Sequence, residues 1–182
     1  MFYTTFPSLF DFFTIVWKES EHEVQIHRIY LSDPKTKSEI KARESINGIT
    51  LESSPVISSL GKKVQQFFKG VDVKFDLRIC NFDECSKIQR KVLLTEFDIP
   101  RGWVSTYKRI SIKIGIPNGA RAVGNALARN PFPIIILCHR AIKSNGDIGG
   151  FQGGTKMKQK LLELEGIEFS DKGKVITERF YY

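Results

Sequence analysis

Asn130-Pro131-Phe132-Pro133-Ile134-Ile135-Ile136-Leu137-Cys138-His139-Arg140 passes from a proline-bounded apolar run straight into three reactive side chains. The run Ile134 to Cys138 predicts a buried strand, so that core gives way to site within two positions. Adjacent cations favour the thiolate form of Cys138, the nucleophilic one. The plainer reading, in which Cys138 is one more small buried hydrophobe, fits most cysteines outside disulfides. On a strand, neighbouring residues face opposite ways, so His139 serves Cys138 only where the chain bends or a water bridges them.

Upstream, Ser86 is placed to cap a helix reaching about Phe97, with Ile88, Val92 and Leu93 on its apolar face. Ser105 or Thr106 opens a short helix through Ile110 and Ile114. The turn Ile116-Pro117-Asn118-Gly119 leads into another, Ala120 to Arg129, with Ala122, Val123, Ala126 and Leu127 inward. Two short helices around a tight Gly/Pro turn make a helix-turn-helix candidate. Downstream of Arg140, a glycine-rich segment runs to Gly154 and a last helix from Thr155 to Glu165.

The first half reads as a small α/β unit. Strands are expected over Leu9–Trp17 and Glu23–Leu31, paired as a hairpin, and a helix through Leu60, Val64, Phe67 and Phe68 that stops at Gly70. Ser32 to Ser54 is polar and reads as an exposed loop with one strand near Ile46–Leu51. Val71 to Glu84 reads as an extended link between two domains.

Composition narrows the function. With 182 residues, 41% hydrophobic and 26% charged, the chain is globular, and no apolar run approaches the ~20 residues of a membrane span. A cytoplasmic protein with no membrane contact is the expectation. Residues 1–85 hold 11 basic and 12 acidic side chains, whereas residues 86–182 hold 17 basic and 8 acidic. A polyanion partner would therefore meet the second half, where Arg121 stands between Ala120 and Ala122 with Gly124 one turn on. Gly149-Gly150-Phe151-Gln152-Gly153-Gly154-Thr155-Lys156 fails as a phosphate loop because Thr155 precedes Lys156 instead of following it. His22, His27, Cys80 and Cys85 lack the spacing of a zinc site, so no metal is expected. Cys80 and Cys85 are either two thiols or a local disulfide.

Taken in order, Gln89-Arg90-Lys91-Val92, Ile99-Pro100-x-Gly102, Thr106-Tyr107, Ala120-Arg121-Ala122-Val123-Gly124, the passage to Arg140, Gly149, Gly153-Gly154 and Leu161-Leu162-x-x-Glu165-Gly166 resemble the O6-alkylguanine-DNA alkyltransferases, the methylated-DNA–protein-cysteine methyltransferases. The resemblance implies an α/β (α+β) fold in two domains. Residues 1–84 would form an RNase-H-like support, and residues 85–182 the helical domain for DNA binding and alkyl transfer. It implies a monomer needing no cofactor, cytoplasmic or, in a eukaryote, nuclear. The partner would be double-stranded DNA containing O6-alkylguanine, with O4-alkylthymine a candidate second substrate. The alkyl group would pass once, irreversibly, to Cys138.

By the same resemblance, Glu165 orients His139, which deprotonates Cys138 through a water, and Asn130 braces the turn before the nucleophile. Tyr107 donates to the flipped base. Arg121 fills the gap the base leaves, on a helix whose Ala120, Ala122 and Gly124, with Thr106 nearby, admit the minor groove. The base pocket would comprise Tyr107, Arg140, Ala141, Phe151, Gln152 and Gly153. This chain departs from the family in Leu137, where Pro is usual, in Phe151 for Tyr, and in Gln152 for Ser. Leu137 and Phe151 keep open a rival, a non-catalytic alkyltransferase-like helix-turn-helix protein that binds lesions or operators; the presence of Cys138 weighs against it.

Overall fold

The structure is a computed structural model and describes residues 1–21 and 23–182, so His22 lies outside the described residues. Contacts divide it into two compact units, one of residues 1–84 and 131–135, the other of 85–130 and 136–182.

In the first unit, β1 (Phe2–Ser8), β2 (Asp11–Glu19) and β3 (Val24–Leu31) form an antiparallel meander, and β4 (Thr50–Leu51) joins β1 in parallel, giving the order β3-β2-β1-β4. Phe13, Ile15, Val16 and Trp17 of β2 are all fully buried, because helices cover both faces of the central strand. On one face Val16, Tyr3 and Tyr30 pack with Ala42 of α1 (Ser38–Ser45), where the hydroxyls of Thr14 and Ser38 share a hydrogen bond of 2.9 Å. On the other, Phe13 meets Phe68 of α2 (Pro55–Phe68) at 5.8 Å. The expected hairpin is β2–β3, to which β1 adds a third strand.

Two expectations from the sequence are corrected. The polar stretch Ser32–Ser54 contains α1, which sequence could not announce because it buries only Ser38 and Ala42 and so has no apolar stripe. Ile134 to Cys138 is buried but is no strand: the chain turns there, Ile134 takes a φ of 77°, and Cys138 begins a 3-10 turn. Pro131–Ile135 belongs to the first unit, where the amide of Ile29 donates to the Pro131 carbonyl at 2.7 Å and Phe82 meets Phe132 edge-on at 5.1 Å.

The second unit follows the sequence pattern closely. Its α3 (Lys87–Phe97) is capped by Ser86, whose hydroxyl accepts from the Gln89 amide, and α4 (Tyr107–Lys113) by Thr106, which accepts from Arg109. Ile88 proves half-exposed, and Glu96 takes its place on the buried stripe with Val92 and Leu93. The turn after α4 closes through Gly119, where a Cβ would lie 2.9 Å from the Ile116 carbonyl oxygen, and α5 (Ala120–Ala128) packs back on α4. Ala122 is exposed, not inward. Ser105–Thr106 (β5) pairs in parallel with Ala141–Ile142 (β6), and α6 (Thr155–Leu164) follows. The tail forms a two-stranded hairpin, β7 (Glu168–Phe169) and β8 (Val175–Ile176), beyond which Tyr181 donates to the Val104 carbonyl at 2.8 Å. No helix of the described residues is long and apolar enough to cross a membrane.

Because Phe68 is 1% exposed and wedged against Phe10 and Phe13, Phe68→Ala should lower stability by about 3–5 kcal/mol. Urea denaturation of the full chain measures this; a midpoint unchanged from the parent would contradict the packing described.

Candidate active site

Cys138, His139 and Arg140 form a single 3-10 turn, with the Arg140 amide donating to the Leu137 carbonyl at 2.9 Å. At three residues per turn, successive side chains diverge by about 120° instead of alternating across a strand. The bend that His139 needs to share a site with Cys138 is therefore built into the backbone.

Glu165, at the C-terminal end of α6, holds this turn. The His139 ring is fully buried with Nε2 2.9 Å from Glu165 Oε1. Arg140 donates from Nε to Oε2 and from Nη2 to Oε1, each at 2.8 Å, and its Nη1 donates to the Ile99 carbonyl. The Gly102 amide donates to Oε2 at 3.4 Å. Burial pulls the Glu165 carboxyl up, but His139 and Arg140 outweigh it and bring it to about 2. A carboxylate only accepts, so His139 carries its proton on Nε2. Burial, with the Arg140 and Lys158 charges, holds the pKa of His139 below its ordinary value against the upward pull of Glu165. The ring is thus neutral, with the Nδ1 lone pair as its proton acceptor.

Cys138 is 7% exposed, and burial pushes its thiol up to about 11, with Asn130 and Lys158 pulling it down and Glu96 pushing it further up. The cations adjacent in sequence do not supply the expected pull toward the thiolate: the Arg140 guanidinium is engaged by Glu165 and Ile99, and His139 is neutral, so that pull comes from Lys158 instead. Asn130 donates from Nδ2 to the Ile136 carbonyl at 3.2 Å, closing the chain between them, and also hydrogen-bonds the thiol.

Tyr107 begins α4, and burial, then the charges of Glu96 and Cys138, raise its hydroxyl to about 12. Gly149 has a φ of +74°, and a Cβ there would stand 2.4 Å from the Tyr107 oxygen, so only glycine lets the loop pass. Phe151 presents its ring to His139 at 6.4 Å and 80°, Gln152 is half-buried, and Gly153 is pressed against Met157. Ala141 is fully buried, its carbonyl accepting from Lys158 Nζ at 2.6 Å.

The residues expected to meet DNA divide. Arg121 and Ala122 are exposed on α5, Ala120 and Gly124 half-buried, with open space where a Cβ on Gly124 would lie. Thr106 is 6% exposed and its hydroxyl caps α4. Two residues at the site escaped the sequence reading, Lys158 and Glu96, both fully buried. Their signal was positional: Lys158 stands two helical turns before Glu165 on the face that holds Leu161 and Leu162, and Glu96 continues the stripe of Val92 and Leu93.

The second unit thus carries, on one 3-10 turn, a buried thiol and a neutral imidazole locked to a carboxylate. A family profile described as 6-O-methylguanine DNA methyltransferase, DNA binding domain, matches residues 87–167. The methylated-DNA–protein-cysteine methyltransferase of Methanothermobacter thermautotrophicus is 41% identical over 126 residues, 68% of this chain and 70% of that one. That of Methanosarcina barkeri is 37% identical over 125 residues, 69% and 78% of the two. Among solved structures, Mycobacterium tuberculosis OGT in complex with DNA aligns with a TM-score of 0.71 at 27% identity, covering 91% of this chain and 92% of that one. The chain belongs to the methylated-DNA–protein-cysteine methyltransferase family.

Replacing Glu165 by Gln leaves the Arg140 charge buried without its counter-ion and should destabilise the fold by about 3–5 kcal/mol near neutral pH. Because the folded carboxyl titrates near 2 and an ordinary one near 4.5, the stabilisation is complete above 4.5 and lost as pH falls toward 2. Denaturation of both proteins across that range should show the two curves converging on acidification; a constant gap would contradict the ion pair.

Proposed function

We propose that the protein repairs alkylated DNA by moving the alkyl group from O6 of a guanine, flipped out of the duplex, onto Cys138. The reading is carried by one observation, the 7%-exposed Cys138 thiol immediately preceding a neutral His139 that is locked to Glu165. The M. tuberculosis neighbour, whose structure is a complex with DNA, supports the choice of partner.

The chemistry is displacement at a saturated carbon. His139 Nδ1 takes the thiol proton through a water, and the sulfur lone pair forms the S–C bond as the C–O6 bond pair leaves on the guanine. Tyr107, donating to N3 of the base, helps guanine leave as a neutral molecule. Glu165 keeps the imidazole oriented and stabilises the imidazolium formed when the thiolate appears. A thioether has no route back to the thiol by hydrolysis, so each molecule acts once.

On the DNA side, α5 enters the minor groove with its Ala120, Ala122 and Gly124 surface, and Arg121 takes the place of the extruded base. An unfilled gap in the stack costs a few kcal/mol, which a single long cation offsets by lying between the neighbouring bases. The basic surplus of residues 86–182 supplies attraction to phosphate without regard to sequence, as a search for scattered lesions requires.

Incubation with duplex DNA carrying O6-methylguanine should add one methyl group to the peptide containing Cys138, read by mass spectrometry, with none on the Cys138→Ala protein. Equal methylation of that variant would assign the nucleophile elsewhere, and tight binding of methylated duplex with no methyl transfer would favour a lesion-binding protein instead.

A further inference from the structure

Glu96 is fully buried on α3, and neither of its carboxyl oxygens makes a hydrogen bond of sound geometry. It occupies a position on the stripe of Val92 and Leu93 where an apolar side chain would pack without electrostatic penalty, whereas a buried carboxylate is costly unless paired. The ionisable groups that act on it, or that it acts on, belong mostly to the site: Lys158 on α6, Arg140 and Cys138 on the 3-10 turn, Tyr107 on α4, and Tyr182 in the tail. The Ala141 amide dipole acts on it as well, and α5, packed on α3, buries only Val123, Ala126 and Leu127.

Lys158 is equally buried. Its ammonium donates to the carbonyls of Ala141 at 2.6 Å and Gly150 at 3.2 Å and stands 5.9 Å from the centre of the Tyr107 ring. Carbonyls solvate this charge but do not neutralise it. One cation therefore lies among two acids, the Glu96 carboxyl and the Cys138 thiol, and where water is excluded it balances one anion at a time. The Arg140 charge is already matched by Glu165.

We propose that Glu96 is a positioning residue that competes with the Cys138 sulfur for the Lys158 ammonium: protonated, it leaves that charge to a thiolate; ionised, it takes the charge and keeps the sulfur a thiol. Glu96 touches no reacting atom and acts through Lys158. Burial holds the Glu96 carboxyl up at about 8 and Lys158 down at about 8, so the competition sets in just above neutral pH. The Cys138 thiolate then rises less steeply with pH through that region than an isolated thiol would.

The proposal rests on Cys138 being the alkyl acceptor, and iodoacetamide separates the two, because it reports ionisation of the sulfur whether or not DNA delivers a methyl group. The full chain and its Glu96→Gln variant are alkylated from about pH 6 to about pH 9, following the Cys138 peptide by mass spectrometry. The ratio of variant to parent rate should climb about tenfold across that range, the equivalent of one pKa unit lifted from the sulfur. In Lys158→Met the rate should fall at pH 6 to 7, where the ammonium is charged and Glu96 is protonated. A ratio independent of pH, or a Lys158→Met rate equal to the parent's, would overturn the competition. Should Glu96→Gln not fold, carboxyl-13C glutamate NMR of the parent decides instead: one carboxyl still protonated at neutral pH is expected, and full ionisation of every glutamate below neutrality would refute it. A climbing ratio without methyl uptake from DNA would sink the alkyl-acceptor reading and leave the competition standing.

Discussion

The Glu165 carboxylate is the joint on which the second unit turns. It sits at the end of α6, and through one carboxylate it fixes the His139 ring, both prongs of Arg140 and the Gly102 amide, while Arg140 extends the link to Ile99 at the end of α3. Burying three ionisable groups together is unfavourable unless each one's hydrogen-bonding capacity is met. Here the requirement selects one register for the 3-10 turn, since a shift of one residue would exchange His139 and Arg140 against Glu165. The position of Cys138 follows from that register.

A thiol raised to about 11 is a poor nucleophile at rest, which suits the single transfer proposed for it. Under the proposed chemistry the thiolate forms when base, water and imidazole are together in the site, and adventitious alkylation or oxidation of the idle protein is slow. The neutral imidazole serves that purpose better than an imidazolium would, because only the neutral ring can take the proton. Lys158 and Glu96 add a second layer, a buried charge whose allocation decides how far the sulfur can ionise.

Legibility in the sequence followed the physics of each element. Helices with caps, stops and apolar spacing announced themselves: Ser86 and Thr106 in the second unit are where capping chemistry predicts, and Gly70 in the first ends α2 with a positive φ. Helix α1 was hidden because its burial depends on Ser38 and Ala42, whose side chains carry no periodic signal. The run Ile134 to Cys138 misled because burial and extension look alike in a short apolar stretch, and the turn there is imposed by tertiary contacts such as that of Ile29 with Pro131. Which side chains come together at the site was partly legible, for Cys138, His139 and Glu165, through the resemblance to the family rather than through spacing alone. The charge state was not, because it depends on burial: proximity in sequence made Arg140 look like a partner of the sulfur, whereas in space it belongs to Glu165.

The central claim is that burial keeps His139 neutral while Glu165 holds it in one tautomer. The direct measurement is 15N NMR of the histidine rings, with the His139 signals assigned by their loss in His139→Gln. The account predicts that at pH 6.5, where an ordinary histidine is half protonated, His139 is neutral with its proton on Nε2. An imidazolium at that pH, or a proton on Nδ1, would contradict it.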